Sequence, residues 1–478
     1  MRAPTRARTV GRLVLCGSLL LLGGCATLGS TLSGYATGRD GIARPQQRLR
    51  DALSRGDFAA ALAWHEDDEL LRRLDVGIAS YYAAQFTRSA SVLDSAALLA
   101  DDRITASLSK DALALVTSDL ARPYQPRRTE RLFIPYYAML AYARLEQWEA
   151  AAVEARRLSS LLAQYAEGRD DRDRSLHAAM HELAGAVFAR SGESDDAAVA
   201  RRAARALAPG YAALDSVGGG TSAASGAPGD SSMGDVLVVV ERGYVAHRVT
   251  ETMELDLGGR DRDSVRVPDG GWNVAHGMRQ APGGPLSAPA YVSVRSHHAD
   301  VDDDDDDYHM TIAFPALRRS SRPWGASVRA GASGDTLGAA GVVAHVDDAT
   351  AADARRELGA IIARAAARAA AKYAVVKAVR DRKGEVAGTL ANLGASLLER
   401  ADVRSWHLLP GELTLVRLRL PSGPQRVTLR VGDGAQQRTV DAGTVLVRAG
   451  SVALAPVRLW QTPPAAPIVP PDSLQPRP

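Results

Sequence analysis

From about Pro45 to Leu214 apolar residues recur at helical spacing in an Ala-, Leu- and Arg-rich background, which predicts an all-α region. Its units read as a helix, a tight turn and a second helix. Leu53-Ser54-Arg55-Gly56-Asp57-Phe58 with Ala61 makes one such turn, and Gln85-Phe86 with Ser89 and Ala96 a degenerate second. Ala141-Tyr142 through Leu145-Glu146-Gln147-Trp148 with Ala151 makes a third; Phe188, Gly192-Glu193, Ala197, Ala204 and Pro209 make a fourth. The small residue after each turn lets two helices approach, the aromatic fills space between pairs, and Pro209 ends the last helix.

The pattern changes at Asp235. Asp235-Val236-Leu237-Val238-Val239-Val240 reads as a buried strand, followed by strands at Tyr291 to Val294 and Met310 to Phe314, the latter ending at Pro315. Ala351 to Arg382 keeps helical spacing through Leu358, Ile361, Ile362, Ala365, Ala369, Tyr373 and Val376; a second helix runs from Gly384 to about Ala401. Glu412 to Leu420, Arg426 to Val431 and Thr444 to Arg448 then read as strands of an antiparallel meander, separated by Pro/Gly turns. The fold class expected is α+β overall: an N-terminal all-α, tetratricopeptide-like helical domain followed by a mixed α+β domain with antiparallel strands. The repeat resemblance rests on the four turns, whose spacing is irregular, and a plain helical bundle shares most of that pattern.

Composition sets the boundaries. Arg2, Arg6, Arg8 and Arg12 precede a short apolar run, Leu13 to Leu22. That is an export-signal layout, too short for a bilayer-spanning helix, which needs about 20 apolar residues. Leu22-Gly23-Gly24-Cys25 resembles a lipobox: the Cys25 thiol takes the lipid, and the residues before it form the signal-peptidase recognition site. The expected organisation is a lipoprotein signal peptide at 1–24, a flexible tether at 25–44, the helical domain at 45–214, a Gly/Ser/Ala linker at 215–234, the α+β domain at 235–461 and a Pro-rich disordered tail at 462–478.

Cys16 leaves with the signal, so the mature chain keeps one cysteine and has no internal disulfide, thiol nucleophile or cysteine metal cluster. Without the four signal arginines the formal charge falls from +3 to −1, so no nucleic-acid partner is implied. No phosphate loop, GxSxG, HExxH or GxGxxG is present. His177 and His181 stand four apart on a helix, a spacing that can chelate a metal but here lacks a further ligand; no cofactor is implied. Asp302 to Asp307 reads as a solvated acidic loop, and Trp406 as a core residue where helix hands over to strand. Gly384 and Gly388 read as a close internal helix contact. Tyr81, Tyr82, Tyr136, Tyr137 and Tyr142 are the aromatic candidates for anchoring a protein partner, with interhelical packing as their alternative role.

Ala391-Asn392-Leu393-Gly394, the stretch Ala401 to Pro410, and Gly234-Asp235-Val236 with Glu241-Arg242-Gly243, taken with the lipobox and the repeats, resemble a family of bacterial envelope lipoproteins with tetratricopeptide-like helical repeats. Members are often encoded near small lipoproteins that activate peptidoglycan synthases. The resemblance implies an envelope role and no catalytic motif. The expected function is a noncatalytic lipid-anchored adaptor or scaffold, linked to cell-wall synthesis. The membrane partner is reached through Cys25, and the other partners are envelope proteins. The location is the periplasmic face of the outer membrane, since Ala26 rather than aspartate follows the cysteine. The alternative is a cell-wall enzyme or enzyme regulator with its site in the C-terminal domain.

Overall fold

The computed structural model describes residues 42–108, 122–212, 214, 232–257, 294–295, 308–320, 327–332, 339–361, 363–364, 401–432 and 437–460. The expected signal peptide with Leu22, Gly23, Gly24 and Cys25, nearly all of the expected tether, residues 215–231 of the expected linker, the acidic run 302–307, Gly384, Gly388 and the expected tail lie outside them. The chain is α+β, with a helical N-terminal region followed by strands. No helix among the described residues is long and apolar enough to cross a membrane.

Eight α-helices form the described N-terminal part: α1 (Arg44–Ser54), α2 (Phe58–Leu62), α3 (Glu69–Tyr82), α4 (Phe86–Leu108), α5 (Arg128–Arg144), α6 (Trp148–Gln164), α7 (Arg174–Ser191) and α8 (Ser194–Leu207). The four turns singled out in the sequence join α1–α2, α3–α4, α5–α6 and α7–α8, and they share one geometry. Gly56, Ala84, Glu146 and Gly192 each adopt a positive φ, between 57° and 90°. The next N–H then reaches back to close the helix: Asp57 to Ala52 O, Gln85 to Ser80 O, Gln147 to Tyr142 O and Glu193 to Phe188 O, at 2.8–3.0 Å. This is the hydrogen bond that satisfies an orphan carbonyl at a left-handed helix end. Five residues after each positive-φ position stand Ala61, Ser89, Ala151 and Ala197, all buried where the paired helices meet.

Gly192 offers a clean test of this corner. A Cβ built there meets nothing within 4 Å, so only its φ of +90° opposes a side chain. Gly192→Ala is expected to cost about 1 kcal/mol, measured by urea denaturation. An unchanged midpoint would mean that the corner does not hold the helix end.

The strands build two stacked sheets beneath the helices. β1 (Met233–Arg242), β7 (Val342–His345), β8 (Glu412–Pro421) and β11 (Val452–Leu459) form one sheet in the order β11-β1-β8-β7. β5 (Val328–Ala332), β6 (Ala339–Ala340), β9 (Gly423–Val431) and β10 (Arg438–Val447) form the second, ordered β10-β9-β5-β6. A third sheet, β2-β4-β3, uses β2 (His247–Leu257), β3 (Val294–Arg295) and β4 (Tyr308–Arg318). A ninth described helix, α9, covers 346–361.

The period of two in β1 decides the layering. Val236, Val238 and Val240 pack with Val416, Leu418, Val427, Leu429 and Val445 between the sheets. Leu237 and Val239 turn the other way, into a cluster with the helices that also takes in Leu413, Leu415, Val452 and Trp460. Each such side chain contributes roughly 1.5–3 kcal/mol by leaving water. The helical region and the strands therefore share one core rather than packing separately on either side of the 215–234 segment.

The structure departs from several sequence expectations. β4 runs through Pro315, which pairs with Thr250 of β2; among the described residues only β2 pairs there, a setting in which the missing N–H is tolerated. The C-terminal strands are not one meander, because β8 and β11 belong to the first sheet while β9 and β10 belong to the second. β11 lies parallel to β1. The helix expected from Ala351 begins at 346, and its continuation beyond 364 lies outside the described residues.

Candidate binding cleft

The tyrosines expected to anchor a partner define the inner face of the helical layer instead. Tyr81, Tyr82, Tyr136 and Tyr137 are 0–4 % exposed, so the surface role is corrected to packing. Their rings meet edge to face at centroid distances of 4.9–6.2 Å, and Tyr82 also packs on Trp460 at 5.0 Å. The cause is the alternation in β1, which points Glu241 at the helices alongside Leu237 and Val239. Glu241 accepts the Tyr136 hydroxyl at 2.8 Å and the Tyr82 hydroxyl, with Arg458 Nη1 3.9 Å away. Burial, reinforced by the Glu241 charge, pushes the phenols of Tyr82, Tyr136 and Tyr137 well above their usual range. Tyr142 is half-buried and donates to Asp94 at 2.7 Å.

Other polar residues on the same face of the sheet are also engaged. Arg417 of β8 pairs with Glu182 of α7 and with Asp235 of β1. Arg50 of α1 donates to the His407 carbonyl at 2.6 Å and lies 4.5 Å over the Tyr244 ring. Trp406 is fully buried, as its place between helix and strands suggested, and its backbone N–H donates to Glu130 at 2.7 Å.

A carboxylate cluster does converge near α9. Asp353 accepts the Thr129 N–H at 2.7 Å and pairs with Arg356 at the same distance. Glu357 holds Arg127 and Arg248 at 3.2 and 2.7 Å. Burial raises Asp353 to about 6, while Arg127 and Arg248 hold Glu357 below its usual range against the effect of its own burial. The cavity beside Asp353 and Glu130 measures only about 10 Å³, the space of about one water-sized sphere. Every one of these carboxylates has a cationic or N–H partner within the fold.

His177 is buried and His181 half-buried on α7. Burial, with repulsion from Arg169, lowers them to about 3 and about 4, so both are neutral near pH 7. Among the described residues no group of three His, Cys, Asp or Glu side chains could hold a metal ion.

A larger cavity, about 70 Å³, opens where the α5–α6 corner and the end of α7 face β10 and β11. Arg144, Glu146, Trp148, Arg190, Leu446, Arg448, Val452 and Leu454 contribute to its walls. Arg190 stacks on Trp148, its Cζ 4.6 Å from the ring centroid, and has no carboxylate within ion-pair distance among the described residues. Burial and then repulsion from Arg448 lower its guanidinium from the ordinary value, with Glu146 opposing them. Glu146 holds Arg448 at 2.7 Å from its positive-φ position, linking the corner to the strands. The Trp148 Nε1 is buried without an acceptor among the described residues. Three guanidiniums thus surround a cleft that has one carboxylate on its walls. Sequence reading passed over these arginines, which are 46 to 304 positions apart and form no motif.

No protein-family model, no curated protein and no solved structure matches the chain.

Proposed function

We propose that the chain is a noncatalytic adaptor of the bacterial cell envelope, held on the periplasmic face of the outer membrane by lipid on Cys25. In this reading it belongs with the envelope lipoproteins that its sequence resembles, and its partners are envelope proteins concerned with cell-wall synthesis. The four corners, each with a positive-φ residue and a small residue five positions on, support reading the helical hairpins as degenerate tetratricopeptide-like repeats. The inner face of such a layer commonly receives a partner. Here it receives the chain's own β1 and β11, so binding moves to the rim. The observation that carries the proposal is the arginine-lined cleft at that rim, in a protein whose buried carboxylate clusters are already engaged by internal partners.

Two measurements test it together. Cys25→Ala is expected to abolish fatty-acid labelling and release the protein from the outer-membrane fraction. Crosslinking in intact cells is expected to capture the same envelope protein repeatedly with the lipidated chain and at least about tenfold less with Cys25→Ala, because anchoring raises local concentration. The proposal fails if the purified protein cleaves peptidoglycan and Asp353→Asn abolishes the cleavage.

A further inference from the structure

We infer that the cleft takes an extended peptide segment, which adds as a short strand to the open edge of β11 and places a carboxylate among Arg144, Arg190 and Arg448. The inference rests on the adaptor reading for its premise that the partner is a protein, and it assigns the site and the chemistry of recognition.

The ladder geometry supplies the first observation. Among the described residues β11 is the terminal strand of its sheet, with β1 as its one paired neighbour. Asp235 N–H bonds to Ser451 O and Gly243 N–H to Leu459 O. In a parallel ladder this register assigns the odd-numbered residues of β11 to β1 and turns the backbone groups of 452, 454 and 456 to the open side. The N–H and C=O of Val452 and Leu454 therefore face away from the sheet. Pro456, without an N–H, stands in the same outward set, where a proline is compatible with an edge strand. Residues 451, 453 and 454 are partly exposed, whereas 452 and 455–460 are buried. The usable edge is short and stops at the proline. Open edges of this kind are where extended peptides dock by main-chain hydrogen bonds.

Charge and apolar surface select the occupant. Arg190 lies over Trp148, its Cζ 4.6 Å from the ring centroid, and lacks an ion-pair partner among the described residues, so its guanidinium is a candidate to pair with an incoming carboxylate. Leu446, at 53 % exposure one of four exposed large apolar residues among the described residues, also lines the cavity. An occupant with one acidic residue flanked by apolar, strand-forming residues satisfies the edge, the arginines and Leu446 together. A lipid headgroup satisfies the arginines but not the backbone edge.

The test uses a displayed library of short random peptides selected on the full-length protein in detergent. The enriched peptides are expected to carry an acid between β-branched or aromatic residues. Arg190→Glu is expected to weaken their binding at least about tenfold, with its circular dichroism and melting temperature as the fold control. Methylating peptide amides at alternate positions tests the edge without altering the protein: one set should abolish binding and the other leave it intact. The inference is overturned by a library that enriches nothing, by peptides that bind Arg190→Glu equally well, or by binding indifferent to amide methylation. It is also overturned if phosphatidylglycerol vesicles, and not peptides, bind the protein lacking residues 1–25 in an Arg190-dependent manner. The two readings fail separately. An envelope partner captured equally by Arg190→Glu removes the cleft and leaves the adaptor. Peptide binding at the cleft with no partner in crosslinked cells removes the adaptor and leaves the cleft.

Discussion

Glu241→Ala is expected to lower the stability of the protein by about 3–5 kcal/mol, the cost of removing one member of a buried charged network. Tyr136 and Tyr82 both donate to this carboxylate, and Arg458 lies beside it with no exposure to water. Alanine would leave two buried hydroxyls without their acceptor and a buried guanidinium without its nearest charge. Each unsatisfied group costs about 1–3 kcal/mol. Glu241→Gln keeps an acceptor for the phenols and should fall between alanine and the parent. Tyr136→Phe removes a single donor and is expected to cost about 1.5–3 kcal/mol. In a double-mutant cycle, Tyr136→Phe should cost much less in the Glu241→Ala background, because the acceptor is already gone. Urea denaturation measures all four proteins. A loss below about 1 kcal/mol for Glu241→Ala would mean that water replaces the carboxylate and that the helical layer does not depend on it.

The second large effect is acid lability between pH 6.5 and 4. His177, His181 and His407 are lowered from their ordinary value, first by burial and then by nearby cations: Arg169 for the first two and Arg50 for His407. In the folded protein they stay neutral until about pH 3 and about pH 4 for His177 and His181, and lower than usual for His407. The unfolded chain takes up protons on all three as the pH drops through 6.5. It therefore gains stability relative to the fold, at up to about 1.4 kcal/mol per pH unit for each histidine. Asp353 and Asp75 work in the opposite direction. Burial raises Asp353 to about 6 and Asp75 well above the usual carboxylate range, so both hold a proton in the folded state that the unfolded chain releases, which together offsets about two histidines in the same window. The net expectation is a loss on the order of 2–3 kcal/mol from pH 6.5 to pH 4. Melting temperatures across that range measure it. His181→Gln should flatten the slope by about one proton, and a curve level from pH 7 to pH 4 would contradict the burial of these imidazoles.

The sequence by itself determined the local elements. The four helix corners are written in residues a few positions apart: a residue that reverses the chain, an aromatic or polar residue after it, and a small residue five on. β1 was legible because an unbroken apolar run of strand length has few alternatives, and β8 because Val416, Leu418 and Leu420 alternate with Arg417 and Arg419. The burial of Trp406 followed from its place between helix and strands. Even Glu241 carried a signal, as an acid continuing the Leu237, Val239 face of an otherwise apolar strand.

What needed the tertiary structure was which surface meets which. Tyr82 and Tyr136 read equally well as surface or core, because the residues that cover them, Glu241 and Trp460, lie more than 100 positions away. β5, β6 and β7 are short, and β11 carries a proline; they become strands because neighbouring backbones offer hydrogen-bond partners, which periodicity in one segment does not encode. The cleft depends on the tertiary fold for the same reason. Arg144, Arg190 and Arg448 acquire a shared meaning when the α5–α6 corner, the end of α7 and the edge of β11 are brought together, since charge acts through space and not along the chain.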